Sequence, residues 1–303
     1  MAKGKVKIVE VGLRDGLQNE STVLTTQQRF ELLEKLIAAG TKTFEVGAFV
    51  SPKWVPQMAV SKELTDLVLK KYPDQKKFHS SVLVPNEIGL KGAMETGIKE
   101  IAIFASSSET FSQKNINCSI EESFQRFEPI MKIAKKNKIK VRGYLSVCFG
   151  CPFEGDVPEK KVVELAKRLY KMGCYEISIG DTIGVATVNQ VDSLFKKLKK
   201  VVPIAKLAGH FHDTRGQALA NILEAYKVGV RVFDSSIGGL GGCPYAKGAT
   251  GNVATEDVVY MFNGMDVITG LDIDKLCEIN RWLEPQMNHA LSSRVGKVGR
   301  LKV

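Results

Sequence analysis

The sequence has no apolar run approaching the ~20 residues that a transmembrane helix requires. Its first residues, Met1 to Lys5, lack the apolar core of a signal peptide and the Arg- and Ser-rich character of a transit peptide. Its six cysteines show none of the spacing expected of a disulfide scaffold. These absences predict a chain of the reduced cytoplasm that has no membrane partner.

Arg-rich runs and nucleic-acid recognition motifs are also missing, although the chain is basic. It has 43 Lys and Arg against 33 Asp and Glu, a formal net charge of +10. The lysines are scattered over helix-like faces, as at residues 196–200, which is typical of a solvated surface. We therefore predict no nucleic-acid partner, and an anionic small ligand is the alternative that the charge leaves open.

Short β-rich segments alternate with longer helical patterns along the whole chain. The predicted strands are residues 6–11, 43–46, 78–84, 100–105, 140–147, 176–179, 204–211 and 231–236. The predicted helices are residues 25–40, 61–71, 87–96, 120–137, 159–172, 188–201, 218–228, about 255–262 and about 274–291.

This alternation predicts a parallel sheet, and a count of eight strands favours a closed (β/α)8 TIM barrel over an open doubly wound sheet. We expect one catalytic domain over residues 1–303, with the barrel at about 6–262 and a C-terminal helical extension at about 263–303. The last helix is expected either to seal the bottom of the barrel or to pair with a second subunit.

Two of the four histidines, His210 and His212, lie at the end of the seventh predicted strand. Residues two apart on a strand point to the same side, and the C-terminal end of a barrel strand faces the mouth of the active site. Two imidazoles that converge there are typical metal ligands. A pair of hydrogen-bonded structural histidines is the alternative, and His79 and His289 are interpreted as structural.

Charged residues follow three further predicted strands. Arg14 and Asp15 follow the first, Glu45 ends the second, and Asp181 follows the sixth. In a barrel all of them reach the same mouth. Asp15 is a candidate metal ligand or base, and Arg14 is suited to hold a carboxylate or a developing enolate oxygen. A local salt bridge or a helix cap is the alternative for any single one.

A glycine-rich segment from Ser236 to Asn252 follows the eighth predicted strand. Such a backbone can approach a ligand closely, but the Lys-Ser/Thr of a P-loop is missing. Cys243 places a thiol capable of proton transfer in this loop, and Asn252 offers a neutral oxygen to a hard cation. A structural loop with an incidental cysteine is the alternative. Cys148 and Cys151 have redox spacing without a thioredoxin-like context, and we interpret them as ordinary thiols.

Together these motifs resemble those of the hydroxymethylglutaryl-CoA lyase family, within the wider group of TIM-barrel metal-dependent acyltransferases and lyases. The resemblance runs from about Val6 to the end of the chain. The wider group shares Arg14-Asp15-Gly16 and the His210-x-His212 pair. The segments that resemble the lyases more specifically are 12–20, 150–155, 180–184 and, most sharply, 238–252.

The resemblance implies a role for each matching residue. The implied ligands of a divalent cation, Mg²⁺ or Mn²⁺, are Asp15, His210, His212 and Asn252. Arg14 would stabilise the enolate-like oxygen, Glu45 would orient Arg14 or the substrate, and Cys243 would be the acid/base of the loop. Either Asp15 or His210 would be the base. The implied supporting positions are Gln18, Asp181 and Glu256.

The substrate implied by the resemblance is a CoA thioester, 3-hydroxy-3-methylglutaryl-CoA, cleaved to acetyl-CoA and acetoacetate by a retro-Claisen step. A homodimer or a higher homo-oligomer is expected. Leu13 stands where the family usually has Pro, which loosens the turn before Arg14, and Ser21 stands where some members have Lys, which alters contacts to substrate or CoA.

Three alternatives to this function remain. One is a lyase for a longer 3-hydroxy-3-alkylglutaryl-CoA, such as the isohexenyl analogue. Another is a condensing acyltransferase of the isopropylmalate/homocitrate synthase branch, whose members share the Arg-Asp and His pairs but lack the Cys loop. The third is a non-catalytic basic protein on the same barrel, because a TIM barrel by itself assigns no function.

Overall fold

Eight parallel strands close into a barrel in the computed structural model, which describes residues 4–242 and 251–299. The strands are β1 (Lys7–Glu10), β2 (Thr43–Ala48), β3 (His79–Leu83), β4 (Glu100–Ser106), β5 (Lys140–Ser146), β6 (Glu176–Asp181), β7 (Leu207–Phe211) and β8 (Val232–Ser235). Each strand pairs with the next, and β8 pairs with β1 from Lys7 opposite Val232 to Glu10 opposite Ser235. The predicted (β/α)8 TIM barrel is therefore confirmed.

Helices cover the outside of this barrel. They are α1 (Thr26–Ala38), α2 (Ser61–Lys71), α3 (Glu87–Glu95), α4 (Glu109–Ile116), α5 (Ile120–Lys136), α6 (Glu159–Met172), α7 (Val188–Leu198), α8 (Ala218–Val228), α9 (Thr255–Gly264), α10 (Ile273–Met287) and α11 (Arg294–Val298). Thr25 caps α1 as predicted, because its side chain accepts a hydrogen bond from the Gln28 amide while the Gln28 side chain accepts from Thr25. The α4 and α11 helices were not predicted, and both are short.

Short helical turns account for some of the differences from the predicted boundaries. A π-helical turn, Gly12–Gly16, directly follows β1 and carries Arg14 and Asp15. A 3-10 turn at Ile204–Lys206 follows Pro203, so β7 begins at Leu207 rather than at the predicted residue 204. Another 3-10 turn, Ile237–Gly239, opens the segment after β8, where the left-handed φ of Gly238, +66°, is suited to glycine.

The last long helix, α10, lies along the side of the barrel. At one end the Asp272 amide donates to the carbonyl of Ala39, and at the other the Thr22 hydroxyl donates to the carbonyl of Met287. The helix packs between α1 and α9 along its length. It therefore lies in the outer helical layer rather than across the bottom of the barrel, and the alternative, pairing with a second subunit, stays a prediction. No helix among the described residues has the length and apolar character to cross a membrane.

Candidate metal and active site

The π-helical turn that carries Arg14 and Asp15 is fixed by a buried carboxyl group at the end of β1. Glu10 Oε1 accepts hydrogen bonds from the amides of Gly12, at 2.8 Å, and Ile237, at 2.9 Å, and Oε2 accepts from the Thr255 hydroxyl at 2.7 Å. Burial raises the pKa of Glu10 from 4.5 to about 7, although these hydrogen bonds oppose the rise. Glu10 thus ties the turn after β1 to the turn after β8.

A buried arginine holds the same turn from the helical layer. The Arg29 guanidinium donates to the carbonyl oxygens of Leu13 (3.3 Å), Leu24 (3.2 Å) and Gln57 (2.5 Å). Burial lowers the pKa of Arg29 to about 10. Leu13 is the position where proline was expected, and Arg29 supplies a tether to its carbonyl.

Arg14 lies between two carboxylates at the mouth of the barrel. Its Nε donates to Glu45 Oε2 at 2.5 Å, and its Nη1 donates to Asp15 Oδ1 at 2.6 Å. The guanidinium carbon also lies 5.5 Å from the centre of the Tyr144 ring. Burial raises the pKa of Glu45, with Arg14 opposing the rise, so this ion pair is a desolvated one. Arg14 is therefore held in one orientation, as its expected role requires.

Asp15, His210 and His212 converge on one point. Asp15 Oδ2 lies 3.7 Å from His210 Nε2 and 3.9 Å from His212 Nε2, and the ligand atoms of all three lie within 4.8 Å of one another. These distances exceed hydrogen-bond length, but one cation at about 2.0–2.2 Å from each atom would span them. The donor set of one carboxylate and two imidazoles therefore fits a divalent metal.

Asn252 lies beside this cluster. Its backbone pairs with His212, and its Nδ2 donates to Asp15 Oδ2 at 2.8 Å and to the Leu240 carbonyl at 3.3 Å. The amide nitrogen faces Asp15 because a carboxylate only accepts hydrogen bonds. If the side-chain amide of Asn252 were rotated by about 180°, its oxygen would face a cation bound to Asp15.

The electrostatics of Asp15 and His212 favour metal ligation. Burial would raise the pKa of Asp15, but Arg14 and the two imidazoles hold it well below its ordinary value. Burial, helped by His210, lowers the pKa of His212 to about 4. A carboxylate that stays ionised and an imidazole that stays neutral are the protonation states in which these groups bind metals.

A cavity of about 220 Å³ opens beside the cluster at the C-terminal end of the strands. Its polar lining residues are Arg14, Asp15, Gln18, Asn19, Asn115, Tyr144, Ser146, Thr182, His210 and His212. Its apolar lining residues are Val50, Val55, Leu83, Phe104, Phe111 and Leu145. A ligand in this cavity would place a polar end at the cluster, and the rest of the ligand would contact the apolar wall.

Comparison with known proteins identifies the family. The HMGL-like family model matches residues 5–283. A Pseudomonas aeruginosa protein named 3-hydroxy-3-isohexenylglutaryl-CoA/hydroxy-methylglutaryl-CoA lyase is 49% identical over 97% of this chain and 96% of its own length. The human mitochondrial hydroxymethylglutaryl-CoA lyase is 50% identical over 97% of this chain and 89% of its own.

This chain belongs to the hydroxymethylglutaryl-CoA lyase family. It is a carbon–carbon lyase by enzyme class. A solved HMG-CoA lyase from Acinetobacter baumannii, in complex with coenzyme A and 3-methylmalate, superimposes with a TM-score of 0.92 at 35% identity, covering 98% of this chain and 95% of its own.

Two of the expected supporting residues of the lyase lie behind the cavity. Asp181 accepts hydrogen bonds from the amides of Val185 and Ala186, and burial raises its pKa to about 6. Glu256 accepts from the Gly238 amide and from Asn280, and burial raises its pKa to about 8. Both carboxyl groups fix loops at the barrel mouth. The third supporting residue, Gln18, lines the cavity itself.

The glycine-rich loop of the lyase is anchored where it leaves the barrel. Asn19 Nδ2 donates to the Gly242 carbonyl at 3.0 Å, and the Gly241 amide donates to Glu20 Oε1 at 3.3 Å. Glu20 is held by His289 at 2.7 Å, which agrees with a structural role for that histidine. Gly242 lines the cavity, and Cys243 follows it in the chain but lies outside the described residues.

The remaining thiols and His79 lie outside this arrangement. Cys148 and Cys151 are free and buried, and burial raises the pKa of Cys148 to about 12. Cys151 is 3.0 Å from the Ser108 hydroxyl. His79 stands at the opposite end of the barrel, where its Nδ1 is 3.8 Å from Glu100.

A network of charged side chains inside the barrel of the lyase was missed by the sequence analysis. Arg142 on β5 donates through Nη1 and Nη2 to Asp234 on β8, at 3.1 and 2.7 Å, and through Nε to Glu176 on β6 at 2.8 Å. Asp234 in turn lies 3.2 Å from His210 Nδ1. In the sequence, this network is indicated only by charged residues within predicted strands that are otherwise apolar.

Proposed function

We propose that this lyase cleaves 3-hydroxy-3-methylglutaryl-CoA to acetyl-CoA and acetoacetate. The convergence of Asp15, His210 and His212 beside the fixed guanidinium of Arg14 is the observation that carries the proposal. The names of the relatives support it, since they name this substrate or its isohexenyl analogue. A thioester substrate needs both a site that activates its hydroxyl and a cation that stabilises its enolate.

Asp15, His210, His212 and Asn252 are the residues that would hold the divalent metal, with Mg²⁺ or Mn²⁺ as the proposed ion. The carboxylate and the amide oxygen suit a hard cation such as Mg²⁺ or Mn²⁺. When bound there, the ion would act as a Lewis acid and lower the pKa of the C3 hydroxyl of the substrate.

The remaining groups move protons and stabilise charge. Asp15 accepts the proton of the C3 hydroxyl, because the two ring nitrogens of His210 are assigned to Asp234 and to the metal. The C2–C3 bond then breaks, and its electron pair passes to the thioester. Arg14, oriented by Glu45, stabilises the enolate oxygen. Cys243 then donates a proton to the carbon, which releases acetyl-CoA.

Product analysis tests the proposal. Incubation with 3-hydroxy-3-methylglutaryl-CoA and Mg²⁺ should yield acetyl-CoA and acetoacetate in equal amounts, and excess chelator should abolish both. The proposal fails if neither product forms with Mg²⁺ or Mn²⁺.

Replacement of the loop thiol tests the proton donor. Cys243→Ala should lose about 100-fold or more in kcat, within the range for general acid–base groups, while Mn²⁺ affinity is retained. The matched control is Cys277→Ala, which removes a thiol on α10 remote from the cavity. A Cys243→Ala enzyme with near wild-type kcat would show that another group protonates the carbon.

Cleavage of longer 3-alkyl substrates is a second candidate activity. The apolar cavity wall contains Val50, Val55, Leu83 and Phe104, and the Pseudomonas aeruginosa relative is named for an isohexenyl substrate. An alkyl group at C3 would lie against such a wall. Comparison of kcat/KM for the methyl and isohexenyl substrates tests this candidate, which fails if the isohexenyl thioester is not cleaved.

The remaining proposals concern organisation. We propose that residues 1–303 form one catalytic domain, with helices after residue 262 as a C-terminal extension, and that the enzyme is a homodimer or higher homo-oligomer. We propose that the protein is cytoplasmic. The human relative is named as mitochondrial. Its small-molecule partner is a CoA thioester.

A further inference from the structure

Asp234 is a carboxylate inside the barrel with four hydrogen-bonding contacts. It is fully buried, and its oxygens accept from Arg142 twice, from the Ser178 hydroxyl at 2.8 Å, and from His210 Nδ1 at 3.2 Å. Among the described residues that line the cavity, Tyr144 and His210 are the two that belong to this network. Asp234 therefore does not line the cavity itself, but it contacts His210, which does.

The direction of the hydrogen bond between Asp234 and His210 follows from the charges. A carboxylate paired with the two guanidinium N–H groups of Arg142 is an acceptor only, so His210 Nδ1 must be the donor. The other ring nitrogen, Nε2, is then the one that faces Asp15 Oδ2, at 3.7 Å. In a neutral imidazole that nitrogen carries the lone pair.

We propose that Asp234 is a positioning residue that fixes the tautomer and orientation of His210 for metal binding, and that Arg142 holds Asp234 in place for this task. Loss of such a partner of a ligating histidine typically weakens metal affinity by about 10- to 100-fold. The inference rests on the proposed metal site and adds to it a residue that does not contact substrate.

The second imidazole is held differently. His212 Nδ1 is buried and has no hydrogen-bond partner among the described residues. His212 depends instead on its backbone, which pairs with Asn252 and donates to the Asp181 carbonyl at 3.3 Å. His210 is thus the one of the two imidazoles whose ring is oriented by a carboxylate.

The network also contains a matched control. Glu176 accepts from Arg142 Nε and from Lys7, at 2.8 and 2.7 Å, and it does not contact His210. Glu176→Gln removes a buried negative charge from Arg142, as Asp234→Asn does, but leaves the carboxylate at His210 in place. The two variants therefore separate loss of the network from loss of the histidine partner.

Mn²⁺ affinity is the first test, measured by the electron paramagnetic resonance signal of free Mn²⁺ in titrations of the purified enzyme. Asp234→Asn should bind Mn²⁺ about 10- to 100-fold more weakly than the wild type, and Glu176→Gln should bind it with wild-type affinity. Equal weakening in both variants, or none in Asp234→Asn, would overturn the role of Asp234. A wild-type enzyme that binds no Mn²⁺ would overturn the metal site itself.

The second test is read from the wild-type enzyme, so its result does not depend on whether an Asp234 variant folds. In ¹⁵N NMR of the Zn²⁺-loaded wild type, with the His210 signals assigned from a His210→Gln spectrum, Nδ1 should carry the proton and Nε2 should show the coordination shift. A protonated Nε2, or a metal on Nδ1, would contradict the proposal.

Discussion

At the scale of one residue, the guanidinium of Arg14 is already oriented at the proposed active site, where we expect an enolate oxygen to develop negative charge. Its Nε and Nη1 are bound to two different carboxylates, so the fork of the guanidinium is oriented before any ligand arrives. Such preorganised donors cost no rearrangement during a reaction, which is why they stabilise charge more effectively than water does.

The two hydrogen bonds of the Arg14 guanidinium predict a loss of activity when arginine is replaced by lysine. Arg14→Lys keeps the positive charge, but one ammonium cannot reproduce the two bonds to Glu45 and Asp15. We expect kcat for 3-hydroxy-3-methylglutaryl-CoA to fall about 100- to 1000-fold, as for other lost donors to a developing oxyanion. Steady-state kinetics measure this effect.

The control is Arg168→Lys, which alters a solvent-exposed ion pair with Glu121 and should leave kcat unchanged. A fall of less than tenfold in Arg14→Lys would mean that charge alone, without the fork, is sufficient.

Residues at the mouth of the barrel could be predicted from the sequence, whereas buried carboxyl groups with partners on distant elements could not. Asp15, His210 and His212 follow or end strands, where a barrel places its chemistry, and the structure brings these three together. Glu10 is the last residue of β1 and Asp234 lies within β8, and each acquires its partners only when β8 closes on β1 or β5 faces β8 across the interior. Local sequence contains no information on such partners.

At the scale of elements, the loop between β6 and α7 packs against the proposed metal ligands. Asp181 binds the amides of Val185 and Ala186, and its carbonyl accepts from the His212 amide. Gly184, with a left-handed φ of +60°, lies in the same loop. A Cβ added there would lie 2.9 Å from the His212 carbonyl and 2.8 Å from Thr214.

Gly184→Ala is therefore expected to damage both the fold and the site. The left-handed backbone costs about 1 kcal/mol in any residue with a Cβ, and crowding adds about 1–3 kcal/mol. We also expect weaker Mn²⁺ binding, because the His212 backbone must shift. Urea unfolding and the Mn²⁺ titration measure the two effects.

The matched control is Gly97→Ala, which has a φ of +83° but open space around the added Cβ. It should cost only the backbone strain and leave Mn²⁺ affinity intact. Equal losses of stability in the two variants would show that contact with the His212 strand is unimportant.

Three helices have the predicted bounds, and two of them end at a glycine, Gly173 or Gly229. Residues 61–71, 159–172 and 218–228 were predicted as helices with the bounds that the structure gives. The α4 helix was missed because its eight residues lie in the connection between β4 and α5, and only Phe111 and Ser112 of them are buried. Tertiary packing, rather than a periodic apolar face, stabilises such a short helix.

At the scale of the whole molecule, buried carboxyl groups join the ends of strands that are distant in sequence. Glu10, Asp181 and Glu256 each bind backbone amides, and burial raises the pKa of each above its ordinary value. A group whose pKa is raised in this way is more stable protonated in the folded state than in the unfolded one. The three groups should therefore make folding less favourable as pH rises.

Glu256→Gln tests this pH dependence. Between its ordinary pKa of 4.5 and its folded pKa of about 8, the carboxyl group is ionised when unfolded and protonated when folded. The wild type should therefore lose up to about 1.4 kcal/mol per pH unit relative to Glu256→Gln as pH rises through this range. Urea unfolding of both proteins at about pH 5 and about pH 8 measures the change.

Glu278→Gln, at an exposed position of α10, is the control, and its difference from the wild type should not vary in this way. A difference between wild type and Glu256→Gln that is the same at both pH values would contradict the raised pKa of Glu256.

The closed barrel brings the site together, because its residues follow β1, lie within β2, lie at the end of β7 and follow the glycine-rich loop. The fold could be predicted because alternating strands and helices specify it. The loop that carries Cys243 could be assigned only by resemblance, since a glycine-rich segment has no side-chain periodicity from which its path could be inferred.

Anomalous diffraction from a crystal of the enzyme soaked in Mn²⁺ tests the central claim most directly. One Mn²⁺ peak should lie about 2.0–2.3 Å from Asp15 Oδ2, His210 Nε2 and His212 Nε2, at the mouth of the barrel. The absence of a peak at these three atoms, or an ordered Mn²⁺ held only elsewhere, would contradict the account.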